Sequence, residues 1–224
     1  MHTFGITNHL DPVVSLCLGP CDVSVREMVT AYTAFSNKGL RVDPIYVTKI
    51  TDNNGNVISE FTPQYTEVMS QEAYFKMVNI LQNVINSGTG SRLRRAPYNI
   101  TAVMGGKTGT AQVTKLKMTA NDRRLRTAEL AYLHRDHAWI ATWGSKNGKT
   151  YVVIVMVEHG GGGSSVAGPV AKKVYEYLFG PDTAAPGYRA PEAPQPAGRM
   201  LGTVSGPLPG MTNDSNDPPK RRRR

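Results

Sequence analysis

The sequence has little cysteine and no long apolar run. Its longest uninterrupted apolar stretch, 151–157, has seven residues, whereas a membrane-spanning helix needs about 18 or more. The first residues lack a basic segment followed by an apolar one, so neither a leader nor a membrane anchor is predicted on this chain. The two cysteines, Cys17 and Cys21, are too few for a disulfide framework, and we expect buried free thiols rather than a bridge.

Acidic residues are outnumbered by basic ones, 17 against 26 in 224 residues, which gives a formal net charge of +9. Nine of the 15 prolines lie in 181–224, where large apolar side chains are nearly absent. We therefore expect 1–180 to be the folded body and 181–224 a disordered, proline-rich tail.

The tail ends in five consecutive basic residues, Lys220, Arg221, Arg222, Arg223 and Arg224. This run allows weak contact with a polyanion. No aromatic stacking platform is near it, so we expect no specific recognition of nucleic acid.

Periodic apolar residues and turn signals predict the order helix, hairpin, helix, three antiparallel strands and a closing helix. The predicted helices are 22–39, 70–86 and one from Ser164 or Ser165 to Phe179, and the predicted strands are 45–51, 57–61, 100–104, 138–143 and 150–157. This order predicts an α+β fold in which helices flank an antiparallel sheet.

Local chemistry predicts how these helices begin, end and face the core. Ser24 and Glu27 have the spacing of a capping box, and Gly39 is placed to end the first helix. In the last helix, four apolar residues recur at every fourth position and predict one core-facing stripe: Val166, Val170, Val174 and Leu178.

The four residues Lys107, Thr108, Gly109 and Thr110 follow the predicted strand 100–104 and carry the most chemical information. A lysine on a strand beside a cleft is a fixed cation that can hold a carboxylate, and the threonine after it adds a hydroxyl donor and acceptor. Glycine lets another backbone approach closely, and the backbone N–H of Thr110 is then free to face a bound peptide. Such an edge strand can bind a peptide as an added strand and polarise its carbonyl. The simpler alternative is a strand with a solvated lysine.

The surrounding sequence resembles the transpeptidase domain of penicillin-binding proteins, and four segments carry this resemblance: 105–113, 135–139, 157–161 and 167–171. Residues 105–180 are most similar to the class B branch, penicillin-binding protein 2. Residues 6–104 look more like the class A branch, penicillin-binding protein 1A. The change of branch predicts a hybrid with a junction near 105–113, or else a divergent lineage.

The resemblance implies that 1–180 is the C-terminal part of a transpeptidase domain, a partial form of the fold shared with serine β-lactamases. In this family a serine is acylated by the D-Ala-D-Ala end of a peptidoglycan stem peptide and passes the acyl group to an amine, and β-lactams trap that serine. By resemblance, Lys107 and Thr108 bind the substrate carboxylate, and Thr110 lends its backbone N–H to the oxyanion hole. No cofactor is implied. The implied location is the periplasmic side of the bacterial inner membrane.

The sequence departs from the family at the nucleophile. In this family a lysine follows the nucleophilic serine three residues later (Ser-x-x-Lys), and a Ser-x-Asn element precedes the lysine motif. Here no serine has a lysine three residues later. The only Ser-x-Asn match, Ser145 to Asn147, follows the lysine motif and lies within a predicted hairpin turn. Because covalent catalysis needs a nucleophile and an activating base, no catalytic residue is assigned and the chain is expected to be inactive alone. With its upstream cover absent, we also expect apolar surface to be exposed and stability to be marginal.

Two histidine signals and two rival functions accompany this interpretation. His134 and His137 lie three apart without a third ligand at matching spacing, so no metal site is predicted. Glu158 and His159 precede a glycine run, which favours a structural turn over an acid–base pair. The rival functions are a non-catalytic module that binds a peptide or partner at the same cleft edge, and a polyanion-binding protein that acts through the basic tail.

Overall fold

The structure is a computed structural model and describes residues 1–94, 101–114 and 125–180. In this part of the chain the helices are α1 Val25–Ser36, α2 Gln71–Asn86 and α3 Gly168–Phe179, and the strands are β1 Leu40–Val42, β2 Lys49–Thr51, β3 Val57–Glu60, β4 Tyr65–Glu67, β5 Val103–Ala111, β6 His137–Lys146 and β7 Lys149–Val157. Among the described helices, none is long and apolar enough to cross a membrane. The predicted tail and its basic run lie outside the described residues, as does Ile100 at the start of a predicted strand.

The main sheet is antiparallel and has the order β5–β6–β7, with β6 in the centre. Successive residues of β6 face opposite sides of the sheet, and both sides are buried. On one side Trp143 packs with Tyr32 of α1 and Val78 of α2. On the other side Ile140 packs with Tyr175 of α3. The predicted α+β fold, an antiparallel sheet flanked by helices, is confirmed.

The start of α1 follows the predicted capping box. The Ser24 hydroxyl accepts a hydrogen bond from the Glu27 backbone N–H at 3.2 Å, and the Glu27 carboxylate accepts one from the Ser24 backbone N–H at 2.8 Å. At the other end, the Gly39 N–H donates to the Ala34 carbonyl at 2.8 Å, and Gly39 has a φ of +91°. Both ends of this helix were therefore predictable from the local sequence.

Two small strand pairs lie between α1 and α2. The pairing of β2 with β3 confirms the predicted hairpin, although β2 begins at Lys49 rather than at residue 45. The Asp52 carboxylate orders the turn by accepting hydrogen bonds from the backbone N–H groups of Asn54 and Asn56. The pairing of β1 with β4 was not predicted, because strands of three residues are too short to show an alternating pattern.

The predicted start of the last helix is wrong, and its predicted apolar stripe holds only in part: Val166 and Leu178 pack against the core, whereas Val170 and Val174 do not. A π-helical turn, Gly163–Ala167, precedes α3 and shifts the phase of Val166 relative to the residues after it. Val170 and Val174 are 44% and 37% exposed, whereas Tyr175 is fully buried and donates a hydrogen bond to the Thr142 hydroxyl at 3.0 Å. The fit of the Tyr175 ring against the sheet, and not the valine spacing, therefore determines which face of α3 is buried.

The segment before α1 lies on the surface around a 3₁₀ turn, Val14–Leu18. Cys17 in this turn is exposed and Cys21 is half-buried, and both are free thiols. The expectation of free thiols is confirmed, but the expectation that they are buried is wrong, because the turn presents even Leu18 to solvent.

Candidate functional site

A cleft of about 450 Å³ lies beside β5, in the size range of ligand sites in proteins. Three parts of the chain line it: Lys107–Thr110 of β5, the connection between α2 and β5 with Thr89 and Arg92, and the residues Gly162–Ser165 around the π-helical turn. The four residues that the sequence singled out thus lie together in one cleft. The residues from the other two segments were not predicted.

The strand β5 places the lysine motif at the edge of the main sheet. Within the described residues β5 pairs only with β6, and Lys107 lies opposite Ala141 in that pairing. The Lys107 side chain is exposed, and its Nζ donates to the carbonyl of Thr108 at 2.8 Å. An edge strand whose second side is unpaired in the described structure can accept an extended peptide.

Glycines bring the segment after β7 against the backbone of the sheet. A Cβ atom on Gly163 would collide with the carbonyl oxygens of Trp139 and Gly109 and would lie 3.0 Å from the Gly109 nitrogen. The prediction for Gly109 concerned the backbone of a bound peptide; the close approach in this structure is made by the Gly163 backbone of the same chain and depends on the missing side chain of Gly163. This contact fixes the distance between the π-helical turn and β5 and so determines the width of the cleft at that end.

Hydroxyl groups connect the three walls. The Thr89 and Thr108 hydroxyl oxygens are 2.7 Å apart, and the Ser164 hydroxyl donates to the Thr89 carbonyl at 2.6 Å. Thr89 therefore joins β5 to the π-helical turn and orients the hydroxyl of the motif residue Thr108. The sequence signal here is the pair Gly88 and Gly90 on either side of Thr89, and two such glycines by themselves indicate only the end of a helix.

The charged residues of the described cleft lining are all positive. Arg92 and Lys107 line the cleft, and no aspartate or glutamate from the described ranges does. Throughout the described ranges neither cation forms an ion pair with a carboxylate. The remaining lining residues are threonines, serines and glycines, whose hydroxyl and backbone N–H groups donate hydrogen bonds. The arrangement is suited to binding an anion with a polar backbone, such as the carboxyl end of a peptide.

The other predicted features lie outside this cleft and are structural. The His159 backbone N–H donates to His137 Nδ1 at 2.9 Å, and His159 Nδ1 lies 3.0 Å from the Arg135 carbonyl. These contacts hold His159 at a φ of +53°, as expected for a structural turn. Asn147, with a φ of +52°, lies in the turn between β6 and β7, so the Ser-x-Asn match belongs to a hairpin. Within the described ranges no group of three potential metal ligands is present.

Comparison with known proteins identifies the relatives of this chain. The penicillin binding protein transpeptidase domain model matches residues 9–176. Penicillin-binding protein 1A of Aquifex aeolicus is 35% identical over 103 residues, which cover 46% of this chain and 14% of the relative. Peptidoglycan D,D-transpeptidase MrdA of Haemophilus influenzae is 38% identical over 99 residues, which cover 44% of this chain and 15% of the relative. Relatives of both predicted branches are therefore present.

Solved structures show the same fold. Penicillin-binding protein A of M. tuberculosis, solved as an imipenem acyl-enzyme complex, superimposes with a TM-score of 0.59 at 16% sequence identity. The match covers 80% of this chain and 40% of that one. The chain thus spans less than half of the solved relative and a still smaller share of the two curated relatives.

Proposed function

Because this chain belongs to the penicillin-binding protein transpeptidase family, we propose that it forms one wall of a peptidoglycan D,D-transpeptidase cleft and does not acylate a substrate by itself. The observation that carries this proposal is the position of Lys107, Thr108, Gly109 and Thr110 on an edge strand that lines a cationic cleft. In this proposal residues 1–180 belong to the transpeptidase domain and residues 181–224 form a tail. The cleft binds its ligand on the periplasmic side of the membrane.

The ligand of this wall is the carboxyl end of a stem peptide, or a β-lactam that imitates it. The ammonium group of Lys107 and the hydroxyl of Thr108 hold the terminal carboxylate, since a charge-assisted hydrogen bond is stronger than a neutral one. The Thr110 backbone N–H then faces the carbonyl before the last residue, where it stabilises negative charge on the oxygen. Gly109 contributes no side chain between these groups and the peptide.

Two serines line the cleft, but neither has the partners of a nucleophile. The Ser164 hydroxyl donates its proton to the Thr89 carbonyl at 2.6 Å, and the Ser165 hydroxyl donates to the Gly162 carbonyl at 3.1 Å. A carbonyl oxygen accepts a hydrogen bond but does not remove the proton, so neither oxygen is activated for attack. With no Ser-x-x-Lys sequence in the chain, binding without acylation is the expected behaviour.

Incubation with a fluorescent penicillin will leave no covalent band on a denaturing gel that unlabelled drug can compete away. A family member with an intact nucleophile, labelled in parallel, provides the positive control. A competable band that disappears in Ser164→Ala or Ser165→Ala would identify an activated serine and contradict the proposal.

The unactivated serines are also consistent with a second function, a non-catalytic module that only binds a peptide. A second experiment distinguishes this function from that of a transpeptidase wall. The chain is mixed with a family segment that carries the Ser-x-x-Lys nucleophile, and penicillin labelling of that segment is measured. A transpeptidase wall restores labelling, and Lys107→Ala in this chain abolishes the restoration because the carboxylate contact is lost. Lys149→Ala, at the exposed turn end of β7, is the matched control. Unchanged labelling of the segment would favour the binding module.

A further inference from the structure

The lysine motif does not account for the second cation of the cleft, Arg92. This residue lies in a 3₁₀ turn, Ser91–Arg94, between α2 and β5, and its side chain is exposed. The next residue, Leu93, is fully buried in the core cluster that contains Met104 and Ile140. Arg94 donates to the Ala102 carbonyl at 2.9 Å. The turn is therefore anchored on both its apolar and its polar side, and Arg92 is held at the cleft by a rigid support.

The chemistry of Arg92 differs from that of Lys107. A guanidinium group is planar and presents paired N–H donors that match both oxygens of a carboxylate, whereas an ammonium group acts as a compact point charge. Among the residues that the structure describes, no acidic side chain lines the cleft, so an anionic ligand can supply the counter-charge for Arg92. A ligand with a single terminal carboxylate satisfies only one of the two cations.

We propose that Arg92 binds a second carboxylate of the ligand, on a side chain that precedes its terminal pair of residues, and that the cleft therefore prefers acidic peptides. This inference rests on the proposed function, because the terminal carboxylate must lie at Lys107 and Thr108 for the second one to reach Arg92. In this arrangement two walls of the cleft bind different parts of the peptide. The strand β5 binds the terminal carboxylate, and the turn after α2 binds the side chain that precedes the terminal pair of residues.

The preference is modest because Arg92 is exposed to solvent. Ion pairs at exposed positions change an affinity by up to about fivefold. Salt weakens such pairs, with a screening length of about 10 Å at 0.1 M and about 3 Å at 1 M. The preference therefore decreases as the salt concentration rises, whereas backbone hydrogen bonds along β5 are much less sensitive to salt.

The test compares two peptides that differ only in one charge, acetyl-Glu-D-Ala-D-Ala and acetyl-Gln-D-Ala-D-Ala. Dissociation constants are measured by NMR titration of the full chain at low salt. We expect the glutamate peptide to bind about threefold to fivefold more tightly. In Arg92→Gln the ratio of the two constants falls to about one, while Lys149→Gln, which removes a charge outside the cleft lining, leaves the ratio unchanged.

The outcomes separate this inference from the proposed function. Equal affinity of the two peptides for the unaltered chain, or a ratio that survives Arg92→Gln, would overturn the role of Arg92. If Lys107→Gln still weakens both peptides in that case, the proposed function stands alone. If neither peptide binds detectably, or Lys107→Gln has no effect on either one, the cleft does not bind peptide ends and both proposals fail.

Discussion

Replacing Glu27 with glutamine will lower the free energy of unfolding by about 3 kcal/mol, because its buried carboxylate is the charged acceptor of several hydrogen bonds. One carboxylate oxygen accepts from the Thr7 backbone N–H at 2.6 Å, the Thr7 hydroxyl at 2.7 Å and the Asn8 backbone N–H at 2.9 Å. The other accepts from the backbone N–H and the hydroxyl of Ser24 at 2.8 and 2.9 Å. An amide nitrogen cannot accept any of these bonds, so glutamine leaves at least one set of donors without a partner.

The matched control is Glu72→Gln, which removes a carboxylate from the first turn of α2. Glu72 is exposed and pairs with Lys76, and such surface pairs contribute about 0.5 kcal/mol or less. Urea unfolding of both variants measures the difference. A loss in Glu27→Gln no larger than in Glu72→Gln would show that the carboxylate does not anchor the segment before α1.

The pH dependence gives a second readout of the same contact. Hydrogen bonds from Ser24 and then from Thr7 hold the pKa of Glu27 well below its ordinary value of 4.5. Because the folded-state pKa is lowered, the stabilisation is fully present above pH 4.5 and decreases as the pH falls below that value. The stability difference between the unaltered chain and Glu27→Gln will therefore shrink on acidification, and a difference that stays constant to pH 3 would contradict this account.

The capping box illustrates which features a sequence can predict. Ser24 and Glu27 are three residues apart, and both partners of the contact belong to one helical turn, so local spacing is sufficient. The sequence does not reveal that the same carboxylate also binds Thr7 and Asn8, because that contact depends on how the preceding segment folds back. Local chemistry was therefore predictable, and its tertiary use was not.

The residues of the candidate cleft likewise fall into a predictable group and an unpredictable one. Residues Lys107 to Thr110 form a contiguous motif, and a single strand places them together. Thr89 and Arg92 reach the cleft only because Leu93 is buried in the core and fixes the connection after α2. The face of α3 was mispredicted for a related reason: Val170 and Val174 keep a regular spacing within α3, but the packing of Tyr175 against the sheet buries a different face. Packing between distant segments determines these features, and a periodic pattern does not encode it.

Replacing Gly163 with alanine will destabilise the fold by about 3 kcal/mol, because an added methyl group has no space there. Its Cβ atom would collide with the backbone carbonyls of Trp139 and Gly109. These atoms belong to β6 and β5, whose pairing opposes Gly109 and Trp139 directly, so they cannot move without disturbing the centre of the sheet. The π-helical turn must move instead, which separates Ser164 from the Thr89 carbonyl and widens the cleft.

The matched control is Gly168→Ala, five residues later at the start of α3. A Cβ atom there would lie 3.7 Å from the Gly163 oxygen and 4.0 Å from the Ile140 side chain, which are ordinary contacts. Because alanine favours a helix over glycine, this variant should gain about 0.5 to 1 kcal/mol. We therefore expect urea unfolding to show a lower free energy of unfolding for Gly163→Ala and a higher one for Gly168→Ala.

Peptide binding then distinguishes a general loss of stability from a change at the cleft. At a temperature where Gly163→Ala is still folded by circular dichroism, its affinity for acetyl-Gln-D-Ala-D-Ala should fall about tenfold, since the displaced turn no longer orients Thr89 and Thr108. A folded Gly163→Ala variant that binds this peptide as tightly as Gly168→Ala would show that the π-helical turn does not shape the site. A Gly163→Ala variant as stable as the unaltered chain would contradict the steric argument itself, because the collision involves backbone atoms that have no alternative rotamer.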